Sequence, residues 1–193
     1  MKTRVIDLSD ENLEDMPTWL GHPSSCKFCL YWEHPDESPR RAGLSDAQAL
    51  EEKRNWFRAT REEWGPCGKL LYSSGRVIGY AQYAPSRYFP NAAAYEAGPV
   101  SPEATFLSCL FLPNEKIRRQ GFGRMLLESI LCELRARGIA AVQTFARRDS
   151  QENPSGPLGF YLRQGFAMVR EDPTFPLVQY KLSDLGPPAA RAG

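Results

Sequence analysis

The chain has 193 residues, a length that suits one domain with a sizeable core. Hydrophobic residues make up 42% and charged residues 24%, which excludes wholesale disorder. Lys+Arg 24 against Asp+Glu 23 leaves a formal net charge of +1, so nothing global points to nucleic acid or a membrane surface.

No apolar run approaches the roughly 20 residues of a membrane span. The start, Met1-Lys2-Thr3-Arg4-Val5-Ile6-Asp7, has no apolar secretion segment, and the expected location is the cytoplasm. Thiols there stay reduced, so the five cysteines predict no disulfide framework.

Residues 3–8 read as a first strand, and 9–16 as a short helix with Ser9 as N-cap. Residues 17–44 have no clear period, yet hold too many aromatics for a linker. Ser45 and Gln48 form a capping-box pattern, in which each side chain satisfies the other residue's orphan backbone donor. The helix behind them carries Leu50, Phe57 and Trp64 on one face and stops at Gly65-Pro66.

Strands come next at 69–73 and 76–84, turned at Ser74-Gly75. Residues 85–104 hold four prolines and read as loop. The near-continuous apolar run 105–112 predicts a central strand buried on both faces. Residues 123–137 form the clearest helix, with Phe122, Leu126, Leu127, Ile130, Leu131 and Leu134 at helical spacing and Gly138 beyond its end. A strand at 140–145, a polar segment at 147–157, a helix at 158–164 and strands at 166–170 and 177–182 complete the pattern. The order predicts a three-layer α/β/α fold on a mixed, mostly antiparallel sheet. One domain is expected over 1–185, with a flexible tail at 186–193.

The strongest chemical signal spans Leu110 to Arg124. A buried strand runs into a basic, glycine-bearing loop that opens onto a long helix. A helix's first turn has unpaired N–H groups and the positive end of the dipole. Glycine lets that backbone approach a ligand, and Arg118, Arg119 and Arg124 add charge. Together they suit a pyrophosphate. A Walker A loop needs Gly-Lys-Ser/Thr, which is absent, and a Rossmann fingerprint needs a third glycine, also absent.

Arg118-x-x-Gly121-x-Gly123 resembles the Q/R-x-x-G-x-G/A acyl-CoA signature of the GNAT N-acetyltransferase family. Phe160-Tyr161-Leu162-Arg163-Gln164-Gly165-Phe166 resembles the family's F-Y-x-x-x-G-F segment about 40 residues later. The close resemblance covers roughly residues 105–182; residues 1–100 agree only in element order.

The resemblance implies the acyl-CoA N-acyltransferase fold and an enzyme that moves an acetyl group from acetyl-CoA directly to an amine, without a metal. Leu110, Phe111 and Leu112 would pair with the pantetheine, one N–H polarising the thioester carbonyl. Arg118, Arg119, Gln120, Gly121, Phe122, Gly123 and Arg124 would cradle the pyrophosphate. Asn153 lies where family members contact the cofactor, though Asn before Pro is also a plain turn former. Tyr161 occupies the general-acid position, where a phenol can protonate the departing thiolate. The strand 105–112 carries no carboxylate, which leaves Glu103, just upstream, as the candidate base. Glu96 is the other nearby carboxylate.

The acceptor, a small molecule or peptide amine, would meet Trp32-Glu33 and the aromatic stretch of Tyr80, Tyr83, Tyr88, Phe89 and Tyr95 with Arg87. The resemblance also leaves room for a homodimer. Two other readings stand beside it. One is an acyl-CoA-binding regulator without turnover. The other is a zinc- or redox-sensing module on the C-x-x-C pair Cys26 and Cys29, with His34 and Cys67 as further candidate ligands. Cys109 belongs to the strand core, and Cys132 is expected to pack from the long helix. His22 has no triad-like partner in sequence.

Overall fold

In the computed structural model, residues 2–19, 25–34, 43–148 and 154–182 are described. Seven strands form one sheet: β1 (Thr3–Asp7), β2 (Gly68–Ser73), β3 (Arg76–Pro85), β4 (Ala104–Phe111), β5 (Ala141–Phe145), β6 (Ala167–Arg170) and β7 (Leu177–Lys181). Their order is β1-β2-β3-β4-β5-β7-β6. Only β4 and β5 pair in parallel; the other neighbours are antiparallel, as the sequence predicts.

Among the described residues four α-helices flank the sheet: α1 (Ser25–Phe28), α2 (Asp46–Trp64), α3 (Phe122–Ala136) and α4 (Leu158–Arg163). Ser45 caps α2 in the predicted box with Gln48, a motif that contributes about 1 kcal/mol. Phe57 of α2 enters the core on one face of the sheet with Cys26, Trp32, Tyr80, Phe106 and Cys109. On the other face Leu126, Leu127, Ile130 and Leu134 of α3 and Tyr161 of α4 pack on Leu71, Leu107 and Leu110. Each of those four α3 side chains is fully or almost fully buried, stabilising by roughly 1.5–3 kcal/mol apiece.

Two expectations are corrected. The helix expected over 9–16 is only a single 3-10 turn, Leu13–Asp15. The Asn12 side chain accepts from the Ser9 amide and donates to the Asp7 carbonyl, a local alternative to helix formation, and Pro17 lies just beyond. The first α-helix lies instead at Ser25–Phe28, inside the stretch that reads as irregular, and carries Cys26 of the C-x-x-C pair, with Cys29 directly after it. The segment 85–104 contains two 3-10 turns, Ser86–Tyr88 and Pro90–Ala94. The tail expected at 186–193 lies outside the described residues. No helix among the described residues is long and apolar enough to cross a membrane.

Candidate active site

A wedge opens between β4 and β5. They pair at Ala104↔Ala141, Thr105↔Val142 and Phe106↔Gln143, and then β4 runs on to Phe111 paired only with β3. The departure begins beside a bulge. Gln82 of β3 faces Cys109 and Tyr83 faces Leu107, so Ser108 is the extra residue of β4. Such a residue bends its strand and re-aims the residues beyond it. The Ser108 hydroxyl fixes it by donating to the Gln82 carbonyl at 3.0 Å.

Beyond the bulge the Leu110 amide turns into the wedge, where it donates to the Pro154 carbonyl at 2.8 Å. By strand alternation the Leu110 carbonyl and the Leu112 amide open to the same side. The Leu112 carbonyl accepts from Arg118 Nε at 3.0 Å. Arg118 therefore braces the loop onto the strand end, and its guanidinium also lies 3.8 Å from Glu115.

The loop then presents α3. Arg119 (φ +63°) and Gly121 (φ +86°) are both left-handed, the alternation that turns successive N–H groups toward one concavity. Gly121 is the N-cap of α3 and has no side chain to occupy the first-turn donors. A Cβ there would meet nothing within 4 Å, so the approach to the helix start is open. Phe122 is buried beneath the loop, and a Cβ at Gly123 would meet Phe160 and Leu112 at ordinary contact distance. Gln120 donates to the Lys116 carbonyl at 2.8 Å, and the Arg124 guanidinium pairs with Glu128 at 2.7 Å on the exposed helix surface. Arg119 and Gln120 are exposed, so they can meet an anion without desolvating a core.

Tyr161 rises from α4 to the floor of the wedge. It is fully buried between Phe160 and Phe166, and its hydroxyl donates to the Ser155 carbonyl at 2.8 Å. Burial holds its pKa above the ordinary phenol value, so the proton stays on oxygen. Pro154 and Ser155 thus engage Leu110 and Tyr161 with consecutive carbonyls. Asn153 lies outside the described residues.

Glu103 is not brought to this place. It is exposed in the turn before β4. At about 3.3 Å per residue, β4 carries it roughly 20 Å from Leu110. A short carboxylate side chain cannot span that, so the structure separates the expected base from the other site residues. Glu96 is exposed in a separate turn, directly after the 3-10 turn Pro90–Ala94 and Tyr95.

On the α1/α2 face of β3 and β4 lies a buried polar cluster that no sequence motif marks. The Lys53 ammonium of α2 donates to the Cys29 carbonyl at 2.8 Å, to Gln82 Oε1 at 3.0 Å and to Glu33 Oε1. Gln82 Nε2 donates to the same Glu33 oxygen at 2.6 Å, and Tyr80 donates to Gln82 Oε1 at 2.5 Å. Burial pulls the Lys53 pKa down, but Glu33, Cys29 and Cys109 together more than offset this, so the net shift is upward. Two signals in the sequence touch it separately: Glu33, expected beside the acceptor, and Lys53, a charge three residues after Leu50 and four before Phe57 on the apolar helix stripe.

The aromatics expected around the acceptor divide between the two faces of the sheet and its surface. Trp32 stacks on Tyr95 with ring centroids 5.3 Å apart, and Tyr80 and Phe89 share that core. Tyr83 points through the opposite face, where its hydroxyl donates to Glu133 of α3 at 2.9 Å. Tyr88 and Arg87 contact each other at the surface.

Three of the five cysteines are held as thiols by burial. Burial pushes the Cys26 thiol well above its ordinary pKa, and the Cys67 and Cys109 thiols up to about 12, which suppresses thiolate chemistry. Among the described residues no group of three or more His, Cys, Asp or Glu side chains is placed to hold a metal ion. His34 ends the turn after α1, and His22 lies outside the described residues. Cys132 is exposed on α3 rather than packed.

A mixed sheet opening beside a bulged central strand, with a glycine-bearing loop and helix start at its mouth, is the acyl-CoA N-acyltransferase fold. The chain belongs to the acetyltransferase (GNAT) family, whose model matches residues 22–166. Solved structures share this architecture at low identity. The PaiA N-acetyltransferase from Thermoplasma acidophilum, in complex with coenzyme A, aligns with TM-score 0.60 and 15% identity over 94% of this chain and 99% of its own. An N-acetyltransferase from Staphylococcus aureus Mu50 aligns at 0.57 and 12%, over 94% and 99%. The ribosomal-protein-S18-alanine N-acetyltransferase from Escherichia coli aligns at 0.51 and 14%, over 94% of each. No curated protein matches the chain in sequence.

Proposed function

We propose that the protein transfers an acetyl group from acetyl-CoA to an amine by direct attack of nitrogen on the thioester. The observation that carries this reading is the wedge between β4 and β5, which runs straight to the uncapped start of α3. Arg118, Arg119, Gln120 and the backbone of Gly121–Arg124 hold the pyrophosphate. The open space at Gly121 fits a phosphate that a side chain would exclude. Leu110, Phe111 and Leu112 provide the strand end for the pantetheine, and Asn153 makes a further cofactor contact.

The Leu110 amide polarises the thioester carbonyl once the Pro154 carbonyl gives it up. That exchange replaces one acceptor with another whose negative charge grows in the transition state. Displacing the 154–155 segment also frees the Tyr161 hydroxyl from Ser155, and Tyr161 then protonates the departing CoA thiolate.

A second reading rests on the same contacts. An acyl-CoA binder without turnover would keep Leu110 and Tyr161 engaged with Pro154 and Ser155 while using only the phosphate loop. Calorimetric titration with acetyl-CoA, free CoA and desulfo-CoA tests the shared part, with salt-sensitive binding expected. Thiol release in the presence of amines then separates the two. Binding of none of the three ligands would overturn both.

A further inference from the structure

Glu33 is held unevenly. Its side chain is 4% exposed, and its Oε1 takes both donors, Lys53 and Gln82 Nε2. Oε2 is buried with no hydrogen-bond partner. A buried carboxylate oxygen without a donor is costly, and such an atom in a well-packed cluster needs a reason.

Its position supplies one. Gln82, which orients Glu33, is the direct partner of Cys109, the residue before Leu110 on β4. The carboxylate therefore sits one strand over and one residue back from the amide assigned to the thioester. It lies on the α1/α2 face, whereas Tyr161 lies on the α3/α4 face. Glu33 as a whole is only partly buried, so its carboxylate lies about one side-chain length below the surface. The titratable groups facing it are Lys53 from α2, Cys29 after α1, Cys109 from β4 and Tyr80 from β3.

We propose that Glu33 Oε2 is the acceptor-side catalytic group, receiving an N–H of the attacking primary amine and then its proton. This rests on the acetyl-transfer reading above. The amine approaches neutral, because Lys53 already balances the carboxylate and a second cation in this closed cluster would be uncompensated. As nitrogen attacks, the C–N bond forms and the C–S bond breaks. The proton lost by nitrogen passes to Glu33 Oε2, and CoA leaves as thiolate to be protonated by Tyr161. Lys53 and Gln82 are positioning residues, since they hold the Oε1 atom and leave Oε2 free.

The test uses the full chain, acetyl-CoA and ethylamine, a probe small enough to need no acceptor-specific pocket. Thiol release is measured against the uncatalysed reaction across pH, and acetyl-CoA affinity by calorimetry. Glu33→Gln alone leaves Lys53 unpaired and can unfold, so Glu33→Gln/Lys53→Met is measured with it. The expected result is a loss of about 100-fold in rate for the folded variant at every pH measured, with acetyl-CoA affinity unchanged. A wild-type rate in a folded Glu33 variant overturns the proposal, as does a rate loss that only tracks lost acetyl-CoA affinity. Acetyl-CoA binding without any acceleration of ethylamine attack by the wild type overturns it too, while leaving the cofactor reading standing. Failure to bind acetyl-CoA at all would remove the underlying reading instead.

Discussion

The amide of Leu110 donates to the carbonyl of Pro154 at 2.8 Å. That contact closes the wedge at the level where a thioester carbonyl would lie. Acyl-CoA binding should therefore exchange one acceptor for another at this amide. In a labelled protein, saturating CoA should shift the Leu110 amide resonance more than that of Leu107, which precedes the bulge. An unmoved Leu110 resonance at saturation would place the cofactor elsewhere.

The phosphate loop depends on Gly121. Its φ of +86° strains any residue with a Cβ, by about 1–2 kcal/mol. Gly121→Ala should lower stability by about that amount and weaken CoA binding moderately. Gly121→Asp should abolish binding, because it puts a negative charge where phosphates belong. Calorimetry on both variants checks this, and full affinity in Gly121→Asp would end the loop assignment.

Tyr161→Phe removes the donor to Ser155 and should cost about 1 kcal/mol of stability, since the carbonyl is left without that partner. Turnover should fall by roughly 100-fold while CoA affinity holds. Equal rates for variant and wild type would reduce Tyr161 to a packing residue that holds the 154–156 segment.

Lys53 contributes to the alkaline limit of the fold's stability, alongside the buried Cys26, Cys67 and Cys109 thiols, whose raised pKa values cost stability as pH passes about 9. The Lys53 pKa in the folded state is raised above the ordinary 10.5. The stability it contributes is therefore complete below about pH 10.5 and is lost as pH rises through the higher folded value. The fall in melting temperature above that point should be shallower in Glu33→Gln/Lys53→Met than in the wild type. Lys53→Met should destabilise by about 3–5 kcal/mol by leaving Glu33 buried and unpaired, and Glu33→Gln added to it should restore most of the loss. Urea unfolding of the two variants measures the difference.

The frame is legible in the sequence because its signals are local. The box at Ser45 and Gln48, the apolar run of β4 and the stripe on α3 each name an element without help from its neighbours. The phosphate loop is legible for the same reason, as it occupies one stretch of chain. The first helix is hidden, because Asn12 diverts the backbone and a four-residue helix at Ser25–Phe28 is too short to show a period. Glu103 is close to the chemistry along the chain, but a strand separates its two ends as far as its length allows. Glu33 and Lys53 are 20 residues apart and meet Gln82 only through the packing of α2 on the sheet. No spacing rule encodes that encounter; Lys53's place on an apolar stripe and the expectation of Glu33 beside the acceptor hint at its two halves separately.

Strands β1–β4 and β5–β7 share a seam of three residue pairs, Ala104↔Ala141, Thr105↔Val142 and Phe106↔Gln143. The sheet is thus two panels on a short hinge. A pantetheine arm laid along the open side would extend that seam and act as a shim that sets the angle between the panels. At 100 times its dissociation constant a ligand adds about 2.7 kcal/mol to the folded state. For this architecture that energy would be delivered as stiffness across the hinge, so the substrate would serve as a temporary structural member of the sheet it reacts on.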